Sequence, residues 1–305
     1  MLTLNVEPRT TPMPWKTFVG KAPRRSIALD GYVSAGPRFN PQGPWANFNH
    51  HEEVSRLETR ATCAQALIAI RQGLFDAFHN EEGNADAVIF VNDCDEDVCL
   101  SVFILTNHNL ATGTMNPVLN RMVFMEDMLD TTAGAYPFPQ DLETLQKLMW
   151  IFDPYHRFRV SGQLDRRDPN AFREVINDVQ MRIMAHITGS GSRIELSTHF
   201  EKIGGGKGWA MVREIGQNAR VGIFSEGIKA FVSVRERPDG KFSYTLCRSS
   251  QFVPFPIPKI VRALNREEKC EEDRWGGSDI VSGSPRIKGS GLDPDEITRI
   301  IEEIV

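Results

Sequence analysis

ADAVIFVNDCDEDVCLSVFIL, residues 85–105, is the stretch that decides the fold class of this chain. Residues 85–91 form an apolar run typical of a parallel strand that is covered on both faces. The acidic loop NDCDED follows directly, and residues 98–107 then have the pattern of a helix. A strand, a loop and a helix in this order form the repeating unit of α/β proteins. The sequence therefore predicts an α/β fold with a mainly parallel sheet flanked by helices.

Further elements follow on both sides of this unit. Residues 26–30, SIALD, indicate a short buried strand that ends in an acid. The Pro-rich segment 1–25 is expected to be an irregular arm, and the segment 31–48, rich in Gly, Pro and Asn, is expected to be loop. Apolar residues at helical spacing predict a helix over 62–78. Three more helices are predicted, over 117–130, 141–151 and 169–187.

The sequence TGSGS at 188–192 is the best candidate for a domain boundary and divides the chain into domains 1–188 and 193–305. Beyond it, alternating or continuous apolar runs predict strands. These runs are GWAMVREI, RVGIFSEG, IKAFVSVRER and KFSYTLCRSS. Helices are predicted near 258–266 and from Asp293 to the end, where Asp293 is a favourable N-cap. The second domain should therefore be a smaller α/β domain with a mixed sheet, and the glycine-rich run 204–208 should be a hairpin or linker loop.

Composition excludes several classes of protein. The formal net charge is −5, which argues against binding of long nucleic acid. No apolar run is long enough to span a bilayer, and no signal peptide is recognisable, so a cytoplasmic protein without a membrane partner is expected. The five cysteines form no CxxC motif, which favours reduced thiols.

The acidic loop is the first candidate site. Asp93, Asp95 and Asp97 alternate along it, and carboxylates this close repel one another unless a cation compensates. Hard divalent cations such as Mg²⁺ and Mn²⁺ prefer oxygen ligands. A solvated acidic loop is the alternative, but apolar runs on both sides place these acids between two buried elements.

Other segments carry residues that suit the same chemistry. His50 and His51 are adjacent, Asp30 ends a predicted strand, and Asp130 begins a turn. Taken singly, such residues are most often surface histidines, caps or turn formers. Together with the acidic loop they provide the nitrogen and oxygen ligands of one candidate metal site.

These segments resemble the DHH phosphoesterase superfamily. In FNHHEEVSRLETRATCAQAL, residues 48–67, the triplet Asn49-His50-His51 stands where the family has Asp-His-His at the end of a strand, and Thr62 starts the helix that follows. SIALD is similar to the family's strand with a single metal-binding acid. VNDCDEDVCLSVFIL is similar to its His-x-Asp-x-Asp motif, with Asp93 at the histidine position. LDTTAGAYPF, residues 129–138, is similar to its last motif.

The resemblance extends to the second half of the chain. Many family members carry a smaller C-terminal domain called DHHA1, and TLCRSS and WGGSDIVSGSPR resemble its strand and its Gly-rich loop. The order of the motifs differs, because the family's first motif here follows the histidine pair. This order resembles a circular permutation, which preserves the site because position in the sheet sets the geometry.

The resemblance implies a hydrolase of phosphoester or phosphoanhydride bonds, dependent on Mn²⁺ or Mg²⁺ with one or two ions bound. Its substrate would be a small phosphorylated molecule or a short oligonucleotide. The implied metal ligands are Asp30, His50, Asp93, Asp95, Asp97 and Asp130. The implied catalytic residues are His51 and Asp95. The implied substrate-binding residues are Arg248, Ser249, Gly276, Gly277, Arg286 and Lys288.

Two alternatives stay open. One is a ligand-binding protein on the same scaffold without catalysis, motivated by Asn49 and Asp93, which depart from the family motifs. The other is a nucleophilic triad, which the absence of a Gly-x-Ser-x-Gly elbow in the sequence disfavours. The sequence also leaves open whether the protein is a homodimer.

Overall fold

The computed structural model describes residues 1–112, 116–271, 273–285 and 287–305. The chain forms two compact units, each of which contains a sheet and helices. The first unit comprises Met1–Thr131 and Leu142–Ile194, and the second comprises Thr132–Asp141 and Glu195–Val305. The predicted α/β class is confirmed, with one mostly parallel and one mixed sheet.

The first unit is built on a sheet with strand order β1-β5-β2-β4-β3. Its strands are β1 (Leu2–Val6), β2 (Ser26–Leu29), β3 (Arg38–Asn40), β4 (Trp45–Phe48) and β5 (Ala87–Val91). Neighbouring strands are parallel except at the β3 edge. Ile27 of β2 is paired with Ile89 of β5 and with Ala46 of β4, and all three are buried. The carboxyl ends of β2, β4 and β5 therefore meet at one edge of the sheet.

Helices flank this sheet and pack on one another. They are α1 (Trp15–Lys21), α2 (Thr62–Arg71), α3 (Leu74–Ala77), α4 (Glu96–Thr106), α5 (His108–Ala111), α6 (Pro117–Thr131), α7 (Glu143–Val160) and α8 (Pro169–Ile187), with a 3₁₀ turn at Gln163–Arg166. The predicted single helix over 62–78 is interrupted at Gly73, whose φ of 92° ends α2. α4 is almost entirely buried, as its apolar sequence predicts.

Two predictions for the N-terminal region are wrong. The expected irregular arm 1–25 contains β1 and α1, and the expected loop 31–48 contains β3 and β4. β3 and β4 are short and lie beside Gly and Pro residues, so the local sequence gives only a weak signal for a strand there. β4 forms because it pairs with β2, and the amide of Asn47 donates hydrogen bonds to the carbonyls of Ala35 and Gly36 in the preceding loop.

The second unit contains a mixed sheet with strand order β10-β11-β9-β8-β7-β6. Its strands are β6 (Phe200–Gly206), β7 (Trp209–Glu214), β8 (Ala230–Glu236), β9 (Phe242–Arg248), β10 (Gly276–Gly277) and β11 (Val281–Gly283). Its helices are α9 (Ala219–Ser225), α10 (Ile257–Glu267) and α11 (Pro294–Glu302). The Asp293 side chain accepts a hydrogen bond from the N–H of Glu296 in a capping box, which confirms the predicted start of α11.

One predicted strand of this unit is a helix. RVGIFSEG contributes to α9, in which Ala219, Gly222 and Ile223 are the buried residues. A short apolar run fits the period of a helix as well as that of a strand, so strand pairing and packing decide which of the two forms. The glycine-rich run 204–208 is a hairpin, as predicted, because it joins the antiparallel strands β6 and β7. Within the described ranges, no helix combines the length and the apolar composition needed to cross a membrane.

Candidate metal centre

The candidate site lies at the carboxyl edge of the parallel sheet. Asp30 follows β2, the residues Asn49, His50 and His51 follow β4, and the acidic loop follows β5. Parallel pairing aligns these three strand ends, although the chain reaches β5 about 40 residues after β4. Asp130 reaches the same place from the last turn of α6.

Asp30 lies at the centre of the cluster and is buried. Its Oδ1 atom lies 2.9 Å from Nε2 of His51 and accepts a 3.0 Å hydrogen bond from the Thr62 hydroxyl. Its φ of 44° is left-handed, a conformation that Asp and Asn adopt more readily than most other residues with a side chain. Burial alone would raise the pKa of this carboxyl, but its interactions with His51 and His50 outweigh burial and hold the pKa well below its ordinary value.

His50 is completely buried among carboxylates. Its Nε2 atom lies 2.7 Å from Oδ2 of Asp130, 3.4 Å from Oδ1 of Asp30 and 3.8 Å from Oδ2 of Asp97. Burial alone would lower the pKa of His50, but the charges of Asp130 and Asp30 outweigh it and raise the pKa to about 11. The imidazole ring therefore holds a proton tightly where the carboxylates converge.

Nε2 of His50 and Oδ2 of Asp130 form a 2.7 Å ion pair, although their geometry falls short of a well-formed hydrogen bond. Within the part of the chain that the structure describes, Nε2 of His50 and Oδ2 of Asp130 are buried without any hydrogen-bond partner. A cation at this position would be bound by both atoms and would take the place of the proton that His50 holds.

Asp97 ties the acidic loop to the start of α2. Its two carboxylate oxygens accept 2.7 Å hydrogen bonds from the backbone N–H groups of Thr62 and Cys63. The N-cap residue of α2 is Ala61, which has no side-chain oxygen, so Asp97 supplies the missing acceptors from α4. Burial, followed by the charges of Asp30 and Asp130, raises the pKa of Asp97 to about 7.

Two overlapping groups of ligand atoms result among the described residues. One consists of Asp30, His50 and His51, and the other consists of His50, Asp97 and Asp130. In each group the ligand atoms lie within 4.8 Å of one another. These buried Asp and His groups could hold a metal ion. The structure thus brings together five of the sequence-predicted residues, and His50 belongs to both groups.

Asp93 and Asp95 lie at the same edge but outside these two groups. Oδ2 of Asp93 forms a 2.8 Å ion pair with Arg9, and its Oδ1 accepts a 2.8 Å hydrogen bond from the N–H of Cys94. Asp95 is the N-cap of α4 and accepts a 3.0 Å hydrogen bond from Val98. Burial, together with the charges of Asp30 and Asp93, raises the pKa of Asp95 well above its ordinary value.

The hydrogen bonds of Asn49 explain why an amide stands at this position. Its Nδ2 atom donates to the carbonyls of Val33 and Ala35, at 3.2 Å and 2.9 Å, and its Oδ1 accepts from the N–H of His51. A carboxylate could accept the last bond but could not donate the first two. Asn49 therefore holds the loop after β2 against the histidine pair.

Two further residues at the site escaped sequence reasoning. Arg56 reaches Nδ1 of His51 at 2.8 Å and donates a 3.0 Å hydrogen bond to the carbonyl of Asp130. Asp127 accepts a 2.7 Å hydrogen bond from the N–H of Ala61. An acid within a helix and an arginine within a charged loop have many ordinary explanations, so local pattern carries no signal for either. The spacing of Asp127 three residues before Asp130 was the one available hint.

In the second unit, Arg248 is buried and bonded within its own fold. Nε donates to the carbonyl of Asp279 at 2.7 Å, and Nη2 donates to its carboxylate at 3.1 Å. Nη1 donates to the carbonyls of Gln251 and Val253. The guanidinium group thus ties two loops to β9, and a substrate anion would have to compete with these contacts.

The other predicted substrate-binding residues also have internal contacts. Gly276 and Gly277 form β10, and a Cβ on Gly277 would lie 2.5 Å from the Val281 carbonyl, so close backbone approach explains this glycine. The N–H of Ser249 donates to Lys229, and the N–H of Lys288 donates to Asp273. The backbone N–H groups of 289–291 likewise donate to protein acceptors. Arg286 lies outside the described residues. Substrate binding by this set stays a prediction.

Fold and site together define an α/β protein with a buried Asp/His cluster that could hold a metal ion. A scan of the sequence against models of known protein families finds no match, and a search of curated proteins finds none either.

Proposed function

We propose that the protein is a divalent-metal-dependent hydrolase of phosphoester or phosphoanhydride bonds. The observation that carries the proposal is the convergence of buried carboxylates on Nε2 of His50, which lies 2.7 Å from Oδ2 of Asp130 without a well-formed hydrogen bond. The likeness of the motifs to the DHH phosphoesterase superfamily supports the reaction class. The parallel sheet supports the placement, because α/β proteins bind their ligands at the carboxyl ends of the strands.

His50, Asp97 and Asp130 would hold the principal ion, with Asp30 beside them. Three carboxylates and one imidazole suit Mn²⁺ and Mg²⁺, which favour oxygen ligands. Such an ion, when bound, lowers the pKa of water and offsets charge on phosphate oxygens. The proton that His50 holds between Asp130 and Asp30 would be released on binding, because a histidine ligand must be neutral.

The chain's own residues would supply orientation and a hydrogen bond. Asp30 orients His51 through the contact between its Oδ1 and the Nε2 atom of the imidazole, 2.9 Å apart. The His51 side chain is about one third exposed, so it can reach a substrate, whereas His50 cannot. His51 is therefore the residue proposed to donate a hydrogen bond to the leaving oxygen. Hydrogen bonds from the backbone and the hydroxyl of Thr62 attach the ligand residues Asp97 and Asp30 to the start of α2.

The charges at the site are less favourable to a second ion. Its ligands would be Asp93 and Asp95 together with Asp30, but Asp93 is already neutralised by Arg9. That ion pair also favours the second candidate function, a protein that binds a phosphorylated ligand without turning it over. The net charge of −5 favours a small phosphorylated molecule or a short oligonucleotide over long nucleic acid in either case.

Metal content and turnover test the proposal together. The purified protein is dialysed against Mn²⁺ or Mg²⁺, its bound metal is measured by mass spectrometry, and aryl phosphates, short oligonucleotides and polyphosphate are offered as substrates. His50→Gln and Asp130→Asn should lose bound metal and turnover. His79→Gln and Asp165→Asn are matched controls, since both residues are exposed and lie outside the cluster.

Three outcomes separate the possibilities. Bound metal with metal-dependent turnover supports the hydrolase. Bound metal with no turnover on any substrate favours the ligand-binding protein. Absence of bound metal in the wild-type protein, or equal metal in His50→Gln and His79→Gln, would overturn the metal centre itself.

A further inference from the structure

Arg56 makes two contacts that restrict the chemistry of the site. Its Nη2 atom lies 2.8 Å from Nδ1 of His51, and its Nη1 atom donates a 3.0 Å hydrogen bond to the backbone carbonyl of Asp130. The guanidinium group thus joins the histidine loop to the end of α6. Burial alone would raise the pKa of Asp130, but the charge of His50 outweighs burial and lowers it. The positive charge of Arg56 lowers the pKa of Asp130 further.

The contact with His51 determines where the imidazole proton resides. An arginine side chain has only N–H donors and stays protonated in proteins. Nδ1 of His51 must therefore accept the bond from Arg56, and the ring proton must be on Nε2. Nε2 faces Oδ1 of Asp30 at 2.9 Å, so the N–H of His51 donates to that carboxylate.

This tautomer separates the roles of the two histidines. Neither ring nitrogen of His50 has a hydrogen-bond partner of good geometry among the described residues, so its Nε2 can ligate a metal once its proton is released. His51 carries its proton on the nitrogen that faces the cluster and cannot ligate through that atom without losing the contact with Arg56. The acceptor role of Nδ1 and the donor role of Nε2 are set by one guanidinium group.

We propose that Arg56 is a positioning residue that locks His51 as the neutral Nε2–H tautomer, keeps it out of the metal ligand set and makes its Nε2–H a hydrogen-bond donor to the leaving oxygen. The second half of this inference rests on the proposed hydrolase activity, whereas the tautomer does not. Arg38 offers a matched control. It also forms an ion pair within this region, with Glu53, but it is not bonded to either histidine.

Nitrogen NMR tests the tautomer without any assay of activity. The protein is labelled with ¹⁵N-histidine, and its long-range ¹H–¹⁵N spectrum is recorded in metal-free and Mg²⁺-loaded forms. His51→Gln identifies the signals of His51 among the seven histidines. The expected spectrum of the wild type shows unprotonated Nδ1 and protonated Nε2 in both forms. Arg56→Met should lose this preference, whereas Arg56→Lys and Arg38→Met should keep it.

Leaving-group dependence tests the catalytic role. Phenolate carries more of its negative charge on oxygen than nitrophenolate does, so loss of a hydrogen-bond donor to the leaving oxygen falls mainly on phenyl phosphate. Arg56→Met should lower kcat for phenyl phosphate at least tenfold, with a smaller loss for nitrophenyl phosphate and unchanged bound metal. Arg56→Lys should restore part of the loss.

The outcomes of the two tests are distinct. A protonated Nδ1 in wild-type His51, or an unchanged tautomer in Arg56→Met, overturns the inference whatever the activity. The expected tautomer with equal losses on both phosphates overturns the role of His51 as a hydrogen-bond donor to the leaving oxygen. Absence of turnover on every substrate contradicts the proposed function and this donor role, while the NMR result still decides the tautomer.

Discussion

The Nε2 atom of His50 and the Oδ2 atom of Asp130 lie 2.7 Å apart in the interior of the first unit, and neither has a hydrogen-bond partner among the described residues. A ligand that binds only the folded state stabilises it by about 2.7 kcal/mol at 100 times its Kd. Mn²⁺ or Mg²⁺ should therefore raise the Tm of the protein by several degrees.

Differential scanning calorimetry across a metal titration measures this rise. Asp130→Asn should abolish it, while Asp165→Asn, a change at an exposed site, should leave it intact. An equal rise in all three proteins would show that the metal binds elsewhere.

Asp97 predicts how stability of the metal-free protein changes with pH. Its pKa rises from the ordinary 3.8 to about 7 in the fold, so the folded chain binds this proton more tightly. Such a group stabilises the fold fully below its unfolded pKa, and that contribution is lost as pH rises through its folded pKa. The Tm of the metal-free protein should therefore fall from about pH 4 to about pH 7, a direction that the raised pKa of Asp95 reinforces.

The opposing carboxyls of the cluster act outside that window, and Glu96, whose pKa is also lowered, acts only below its ordinary value of 4.5. Asp30 and Asp130 have lowered pKa values, so their contribution is lost only as pH falls below their ordinary value of 3.8. Thermal melts at fixed ionic strength across this range provide the measurement. Asp97→Asn should flatten the slope, and a wild-type Tm that rises between pH 4 and pH 7 would contradict the assignment.

Arg9 should limit binding of a second metal ion. Its guanidinium lies 2.8 Å from Oδ2 of Asp93 and supplies positive charge there. Arg9→Gln should tighten binding of a second Mn²⁺ equivalent about fivefold, since an ion pair of this kind is worth roughly 1 kcal/mol. Equilibrium dialysis with Mn²⁺ measures the stoichiometry, and Arg38→Gln is the control. Equal second-site affinity in both variants would count against this role of Arg9.

Asp127 should contribute to stability as a cap of α2. It accepts a 2.7 Å hydrogen bond from the N–H of Ala61 and a 3.0 Å bond from Arg60. Asp127→Ala should lower the free energy of unfolding by about 1 to 3 kcal/mol, because a buried N–H loses its acceptor. Asp127→Asn keeps one carbonyl oxygen and should lose less. Urea denaturation of the two variants and the wild type compares them, and equal stability of Asp127→Ala and wild type would refute the cap.

Asn49→Asp would create the Asp-His-His triplet of the resembled family, yet it should not improve the site. The carboxylate would face the carbonyls of Val33 and Ala35, to which the amide now donates. We expect a loss of about 1 to 3 kcal/mol in unfolding free energy. Neither bound metal nor turnover should increase. A gain in either at unchanged stability would show that the amide was a defect of the site instead of a support for it.

Local sequence predicted the elements whose patterns are long or continuous. β2, β5, α4, α8 and α11 lie where the sequence placed them, since each carries a buried run or a strong cap. Local sequence failed for β1, β4 and α9, which are short. Pairing with β5 forms β1, and pairing with β2 forms β4, so long-range contacts decided both.

By itself, the sequence determined the α/β class and the ligand types available at the strand ends, because a buried strand followed by acids can place them only at an edge of the sheet. The tertiary structure alone decided which of those acids surround His50. Asp97 and Asp130 face it, whereas Asp93 is paired with Arg9, a residue more than 80 positions earlier in the chain. It also decided the tautomer of His51 through Arg56. Distances between side chains from different elements follow from packing, and no local pattern encodes them.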